Sequence, residues 1–258
     1  MIQVALMSAL LLAGGSYLNA QKKGDSPLLK EGLEDPYTDK DPKAMEKLGV
    51  VSYGPLVWAD HKTTADIELV LGEGRVLWME TAHFKIGCNL GFSGVPKDST
   101  ARRQVKAEMK RLNKKCSKIP ASKSKLNPWL RMHLYALRSE EMYEEFVELT
   151  GKNEEGKFLG NKEKFLVLLF QKKSDLARYM SKFGNRKSEQ SQRLQHYGTG
   201  HFSVVLTGEG DDGARDSETV NAQFRFFMAQ MFCDAAGGGP MWLTYGLGHY
   251  YERQMPCN

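Results

Sequence analysis

Three residues near the C-terminus carry side chains of the types that bind zinc: Cys233, Asp234 and His249. A hydrolytic zinc site needs about three protein ligands and one open position for the water that the metal activates. Gln230, one helical turn before Asp234, could orient that water. An altered metal site that lacks the usual histidine motif is therefore one hypothesis for this chain.

The thiol of Cys233 offers a second chemistry, nucleophilic catalysis by a Cys-His pair. A catalytic thiol needs a nearby imidazole, which His249 or His201 could supply. The residues beside Cys233 are apolar, however, and apolar surroundings raise the pKa of a thiol and make it inert. A hydrolase with an altered metal or Cys-His site is kept as an alternative function.

A motif in the last predicted helix, PMWLTYGLGHYYER at residues 240–253, points to a known scaffold. It resembles the peptidase-MA-like branch of the gluzincin metallopeptidases, where this helix commonly reads P-x-W-L-x-E-G-L-A-x-Y. The stretch TAHFKI at 81–86 also looks like the first strand of such domains. The resemblance implies a zinc-peptidase fold in which the preceding helix carries H-E-x-x-H. The matching positions are Pro240, Trp242, Leu243, Gly246, Leu247 and Tyr250, with Gly248 at the small-residue position.

The zinc ligands that this motif carries in the family are missing from this chain. Tyr245 stands where the family has the glutamate that is the third zinc ligand, and residues 202–248 contain no histidine. No placement of the preceding helix restores H-E-x-x-H, so the resemblance implies a pseudoenzyme with no catalytic residues, no metal and no cofactor. With A-Q-M-F-C aligned on that motif, the former active-site positions are Ala229, Gln230, Cys233, Tyr245 and His249.

The four cysteines are Cys88, Cys116, Cys233 and Cys257. In an oxidising compartment they are expected to pair. Pairing of Cys88 with Cys116 and of Cys233 with Cys257 closes two short loops, each worth about 3–4 kcal/mol in the chain-entropy model. Four free thiols are the alternative, and only they leave Cys233 available for chemistry.

Positive charge is concentrated between residues 102 and 125, although the net charge of the whole chain is only +5. This segment either forms a solvated helix face or adheres to an anionic surface. No aromatic side chains interleave with the charges, which disfavours specific nucleic-acid binding. The basic residues are Arg102, Arg103, Lys106, Lys110, Arg111, Lys114, Lys115, Lys118, Lys123 and Lys125, against the single acid Glu108.

The N-terminal end has the order of segments found in a secretory signal peptide. An apolar run at residues 4–14 is followed by small residues and then by charged ones, which predicts a signal peptide at 1–20. An uncleaved anchor is the alternative. Residues 21–47 are polar and rich in turn formers, which predicts an extended leader before a domain at 48–258. The expected location is secreted or periplasmic, with no membrane span in the mature chain.

The elements that must position these residues alternate between strand and helix patterns. Extended, aromatic-rich chain is predicted over 50–58 and 75–87, and buried strands at 165–170 and 201–206. Asn127 before Pro128 begins a long helix that Gly151 ends. Further helices are predicted over 99–117, 174–184 and 220–236, and a last helix contains residues 242–253. The pattern predicts a single α+β domain, and the resemblance implies that it is a gluzincin-like domain with a small mixed sheet and C-terminal helices.

Composition agrees with one globular domain, since 41% of the 258 residues are hydrophobic and 26% are charged. The predicted function is that of an exported noncatalytic binding or structural module of the cell envelope. Its partner is an unidentified protein or glycan, and its oligomeric state is left open. The altered hydrolase and adhesion through 102–125 are the two alternatives.

Overall fold

The computed structural model describes residues 33–58, 62–196, 201–209 and 217–253. The predicted signal peptide at 1–20 lies outside the described residues. The helices are α1 Pro42–Leu48, α2 Thr64–Leu71, α3 Ser99–Lys115, α4 Pro128–Thr150, α5 Lys173–Phe183, α6 Ser217–Ala235 and α7 Met241–Arg253. The strands are β1 Leu77–Glu80, β2 Phe84–Cys88, β3 Ser93–Gly94, β4 Lys125–Leu126, β5 Phe165–Phe170, β6 Gln192–His196 and β7 His201–Thr207.

Five of these strands form one mixed sheet in the order β1-β2-β5-β7-β6. The central strands β2, β5 and β7 are parallel, with Ile86 opposite Val167 and Val167 opposite Val204. The outer strands β1 and β6 are antiparallel to their neighbours. This arrangement confirms the predicted α+β domain with a small mixed sheet. Short β3 and β4 pair separately.

Helices cover both faces of the sheet, which explains why β5 is buried along its whole length. Val167 and Leu169 point into a large core formed with α3, α4 and α6. Leu166 and Leu168 point to the opposite face, into a smaller core under α2 and α5. The uninterrupted run FLVLLF therefore serves two cores at once.

The predicted boundary at residue 48 is wrong, because residues 33–47 belong to the folded domain. Asp35 is buried, and its carboxylate lies 2.9 Å from Nε2 of the buried His133 in α4. The Tyr53 hydroxyl donates to the same carboxylate at 2.6 Å, and Thr38 donates at 2.9 Å. The polar composition of this segment indicated a leader, but its polar groups form a buried network whose members are hydrogen-bonded to one another.

We expect Asp35→Asn to lower the free energy of unfolding at neutral pH by about 2 kcal/mol. Burial raises the pKa of Asp35, but the hydrogen bonds and charge of His133, with those of Tyr53 and Tyr37, outweigh burial and lower the pKa from 3.8 to about 2. The ionised carboxylate therefore stabilises the fold above pH 3.8, and this contribution disappears as the pH falls through 2.

Urea unfolding measured at pH 7 and again near pH 2 checks this expectation. Asn retains the shape of the side chain, so the difference between wild type and variant should be large at pH 7 and should shrink in acid. An equal difference at both pH values would show that the charge of Asp35 contributes nothing.

The long helix α4 and the last two helices end as their sequences predict. The Asn127 side chain caps α4 by accepting the backbone N–H of Leu130 at 2.8 Å, and Gly151 ends the helix in the left-handed region. Gly237 and Gly238 also have positive φ angles, which lets the chain turn back between α6 and α7. The two helices that carry the predicted site therefore pack side by side.

Candidate functional site

The contact between α6 and α7 is set by Gly248. A Cβ atom at this position would lie 2.8 Å from the Phe226 ring and 3.1 Å from Nε2 of Gln230. Only a glycine allows so close an approach. Phe226 and Gln230, one turn apart on α6, are thus the side chains that face α7.

Tyr245 and His249, one turn apart on α7, lie over the same phenylalanine. Their ring centroids are 6.2 Å and 4.9 Å from that of Phe226. Nδ1 of His249 is also 2.9 Å from a carboxylate oxygen of Glu252. The structure therefore gathers three of the predicted positions, Gln230, Tyr245 and His249, around Phe226 and Gly248.

The other two predicted positions, Ala229 and Cys233, do not face Tyr245. Ala229 is fully buried in the main core. The Cys233 sulfur lies 3.5 Å from the Thr244 hydroxyl, nearer the start of α7. The two residues of α6 that approach Gly248 are therefore Phe226 and Gln230, at positions i and i+4, which lie three residues before Ala229 and Cys233.

Arg193, which no sequence motif indicates, lies beside Gln230 at one side of the α6–α7 contact. Arg193 on β6 donates from Nε to the Asp234 carboxylate at 2.7 Å and from Nη1 to Oε1 of the Gln230 side-chain amide. Gln230 is buried, and its Nε2 has no hydrogen-bond partner within the described part of the chain. No motif marks Arg193, because only the pairing of β6 with β7 brings it beneath α6.

The predicted ligands of an altered metal site are not brought together. Asp234 is paired with Arg193, His249 with Glu252, and the Cys233 sulfur with Thr244. Across residues 33–58, 62–196, 201–209 and 217–253, no group of three or more His, Cys, Asp or Glu side chains is arranged to hold a metal ion. The Cys-His hypothesis is weakened in the same way, because the thiol is buried against a hydroxyl.

The predicted disulfide between Cys88 and Cys116 is wrong, since both residues carry free thiols. Cys88 is the last residue of β2 and lies inside the main core. Cys116 follows the end of α3, and its sulfur contacts the Tyr37 carbonyl oxygen at 3.5 Å. Cys233 is also a free thiol, and its predicted partner Cys257 lies outside the described residues. The pairing was predicted from the short loop between the two cysteines, but this loop length does not determine how far apart the ends of β2 and α3 lie in the fold.

We expect thiol reagents to modify Cys116 in the folded protein well before Cys88 and Cys233. Cys116 is half-buried and the other two are buried, and burial raises the pKa of the Cys88 thiol to about 11. Mass spectrometry of digests taken at successive times would give the order of labelling. Labelling of Cys88 at the rate of Cys116 would contradict the buried position of β2.

A cleft of about 410 Å³ opens beside the α6–α7 contact. Its walls are the residues just before β6, the end of β7, the first half of α6 and the second half of α7. The Ser191 hydroxyl fixes this corner by donating to Gln223 at 2.7 Å and accepting the Thr207 N–H at 3.0 Å. The lining residues are Lys173, Glu189, Gln190, Ser191, Thr207, Glu209, Thr219, Gln223, Phe226, Phe227, His249 and Glu252.

The face of α7 beyond this cleft exposes large apolar and aromatic side chains. Trp242 is 74% exposed, and Tyr245, three residues later, is 47% exposed. Met241 and Tyr250 flank them and are also exposed. Since soluble surfaces rarely leave so many large apolar groups together in water, this face is a candidate contact surface.

No family model, curated protein or solved structure matches this chain.

Proposed function

We propose that this protein is an exported, noncatalytic binding protein whose helix pair α6–α7 is of the metallopeptidase type and whose cleft binds an extended peptide. The observation that carries the proposal is the identity of the facing residues. Phe226, Gln230 and Tyr245 meet where two histidines and a glutamate would be required, beside an open cleft.

The electrostatics of the helix pair oppose metal binding. A phenylalanine ring offers zinc no lone pair, and Gln230 already accepts a hydrogen bond from Arg193. The Arg193 guanidinium also carries a positive charge beside the position that a cation would occupy. Zinc therefore lacks both protein ligands and a favourable electrostatic potential at this position. For this reason we prefer a role in binding to a role in hydrolysis.

The surroundings of the cleft favour a peptide as its ligand. β6 is the last strand of the sheet, so its outer edge offers backbone N–H and C=O groups to an added strand. The cleft itself carries charges of both signs, including Lys173 and Glu189. The exposed rings of Trp242 and Tyr245 then supply an apolar rim for peptide side chains.

Export to the cell envelope is proposed from the N-terminal sequence. The apolar run at 4–14 and the small residues after it support a signal peptide at 1–20. Among the described helices, none is both long and apolar enough to cross a membrane. A partner in the envelope, protein rather than glycan, fits a cleft whose wall includes the residues that lead into the edge strand β6.

Selection of a random phage-displayed peptide library against the full chain tests this function. The selected peptides should bind wild type, remain uncleaved, and lose at least about 10-fold in affinity when Trp242→Ala and Tyr245→Ala are combined. The matched control combines Leu69→Ala and Leu149→Ala, which remove two large exposed side chains from α2 and α4. That control should bind as wild type does.

Three results would count against the proposed function. They are a library with no enriched peptides, peptides that bind both double variants equally well, and cleavage of the peptides by the purified protein. Enrichment of oligosaccharides instead, in a parallel glycan-array measurement, would replace the peptide by a sugar ligand.

A further inference from the structure

The basic segment forms a separate surface, which the cleft does not use. All ten of its Lys and Arg side chains are exposed, although they are spread over α3, the following loop and β4. Its single acid, Glu108, is buried and faces inward to Arg138 in α4. Positive and negative groups of this segment are therefore sorted to opposite sides.

The geometry of α3 arranges part of the charge in a line. Arg103, Lys106, Lys110 and Lys114 follow the spacing i, i+3, i+7 and i+11, which keeps them on one face of the helix over about 16 Å. The buried side chains of α3, among them Val105, Met109 and Leu112, lie on the opposite face. We call these four cationic residues the basic stripe.

Little of this charge is neutralised by neighbouring acids. Within the described residues, the ion pairs made by the basic side chains of this segment are Arg111 with Glu141 and Lys118 with Asp39, and neither involves the basic stripe. Arg103 of the stripe donates to the Thr100 hydroxyl, which is uncharged. The stripe therefore presents its charge to solvent.

An exposed aromatic ring lies beside Lys125, the last residue of the basic segment. Phe92 is 41% exposed, and the Lys125 ammonium lies 5.1 Å from the centre of its ring. Lys125 pairs with Gly94 in the β3–β4 ladder, just before the chain enters α3. Basic residues beside an exposed aromatic ring are the combination found where proteins contact the headgroup region of a bilayer.

We propose that the basic stripe binds the surface of a membrane rich in anionic phospholipid. The stripe follows one face of α3 while the opposite, apolar face is packed in the core, so it can lie on headgroups without inserting the helix. Base-stacking rings do not interleave with the charges, as single-stranded nucleic acid would require. The protein would be held at an envelope membrane while its cleft remains a separate site.

Sedimentation with vesicles tests this proposal on the full chain. Vesicles of equal parts phosphatidylcholine and phosphatidylglycerol are compared with pure phosphatidylcholine vesicles at low and physiological salt. The stripe variant combines Lys106→Gln, Lys110→Gln and Lys114→Gln. The control combines Lys43→Gln, Lys182→Gln and Lys187→Gln, which removes the same charge from exposed positions elsewhere.

Wild type should bind the anionic vesicles, and salt should weaken the binding. Each stripe lysine should contribute about 5-fold, so the stripe variant should bind on the order of 100-fold more weakly. The control should stay close to wild type. Equal losses in both variants, equal binding to neutral vesicles, or binding to duplex DNA or heparin without binding to vesicles would each overturn the proposal.

Discussion

The combined variant Phe226→His, Gln230→His and Tyr245→Glu is expected to bind about one zinc ion per chain, whereas the wild type is expected to bind none. The first two positions lie one turn apart on α6, and Gly248 holds that face tightly against α7. Tyr245 faces the same phenylalanine across the helix pair. Two imidazoles and a carboxylate would therefore converge, and the added carboxylate would offset the positive charge of Arg193, which keeps Asp234 as its partner.

Isothermal titration with zinc, after removal of metal by a chelator, measures this gain. The matched control carries the same two histidines with Tyr245→Gln, which fills the third position without a charged ligand and should bind zinc far more weakly. Circular dichroism must show both variants folded. A folded triple variant that binds zinc no better than its control would show that the α6–α7 pair does not have metallopeptidase geometry.

Replacing Arg138 by methionine is expected to lower the free energy of unfolding by about 3–5 kcal/mol. The guanidinium donates two hydrogen bonds to Glu108, at 3.0 Å and 2.7 Å, and both residues are buried between α3 and α4. Without Arg138, the carboxylate keeps a hydrogen bond from Gln104 but loses its counter-charge. Urea unfolding at neutral pH would measure the loss.

The double variant Glu108→Leu with Arg138→Met supplies the control. Removing both charges leaves no buried unpaired carboxylate, so most of the lost stability should return. Its recovery would show that the cost of the single variant is the stranded charge and not lost packing. Two substitutions whose effects simply add would contradict the importance of the pair.

Local sequence signals predicted most of the longer elements of the fold, but not α1, α2 or β6. Asn127 and Pro128 fixed the start of α4, because a cap side chain and a ring without an N–H act within one turn. The apolar run at 165–170 identified the central strand β5. Such signals depend only on neighbouring residues, so they can be recognised without knowledge of the tertiary structure.

Predictions that depended on distant contacts fared worse. Asp35 looked like part of a solvated leader, and only its meeting with His133, far along the chain, makes its burial favourable. The alignment on α6 placed Ala229 and Cys233 at the histidine positions, but the residue of α6 that contacts both Gly248 and Tyr245 is Phe226. Arg193 could not be found at all, since strand pairing alone places it under Gln230.

The most direct test of a noncatalytic protein is the zinc content of the purified wild-type chain, determined by elemental analysis after dialysis against buffer containing zinc. Phe226, Gln230 and Tyr245 provide no set of ligands, and Arg193 places a positive charge beside them. We expect to find far less than one zinc ion per chain. Stoichiometric zinc that Gln230→Ala or Tyr245→Phe removes would show a metal site between α6 and α7 and contradict the proposed function.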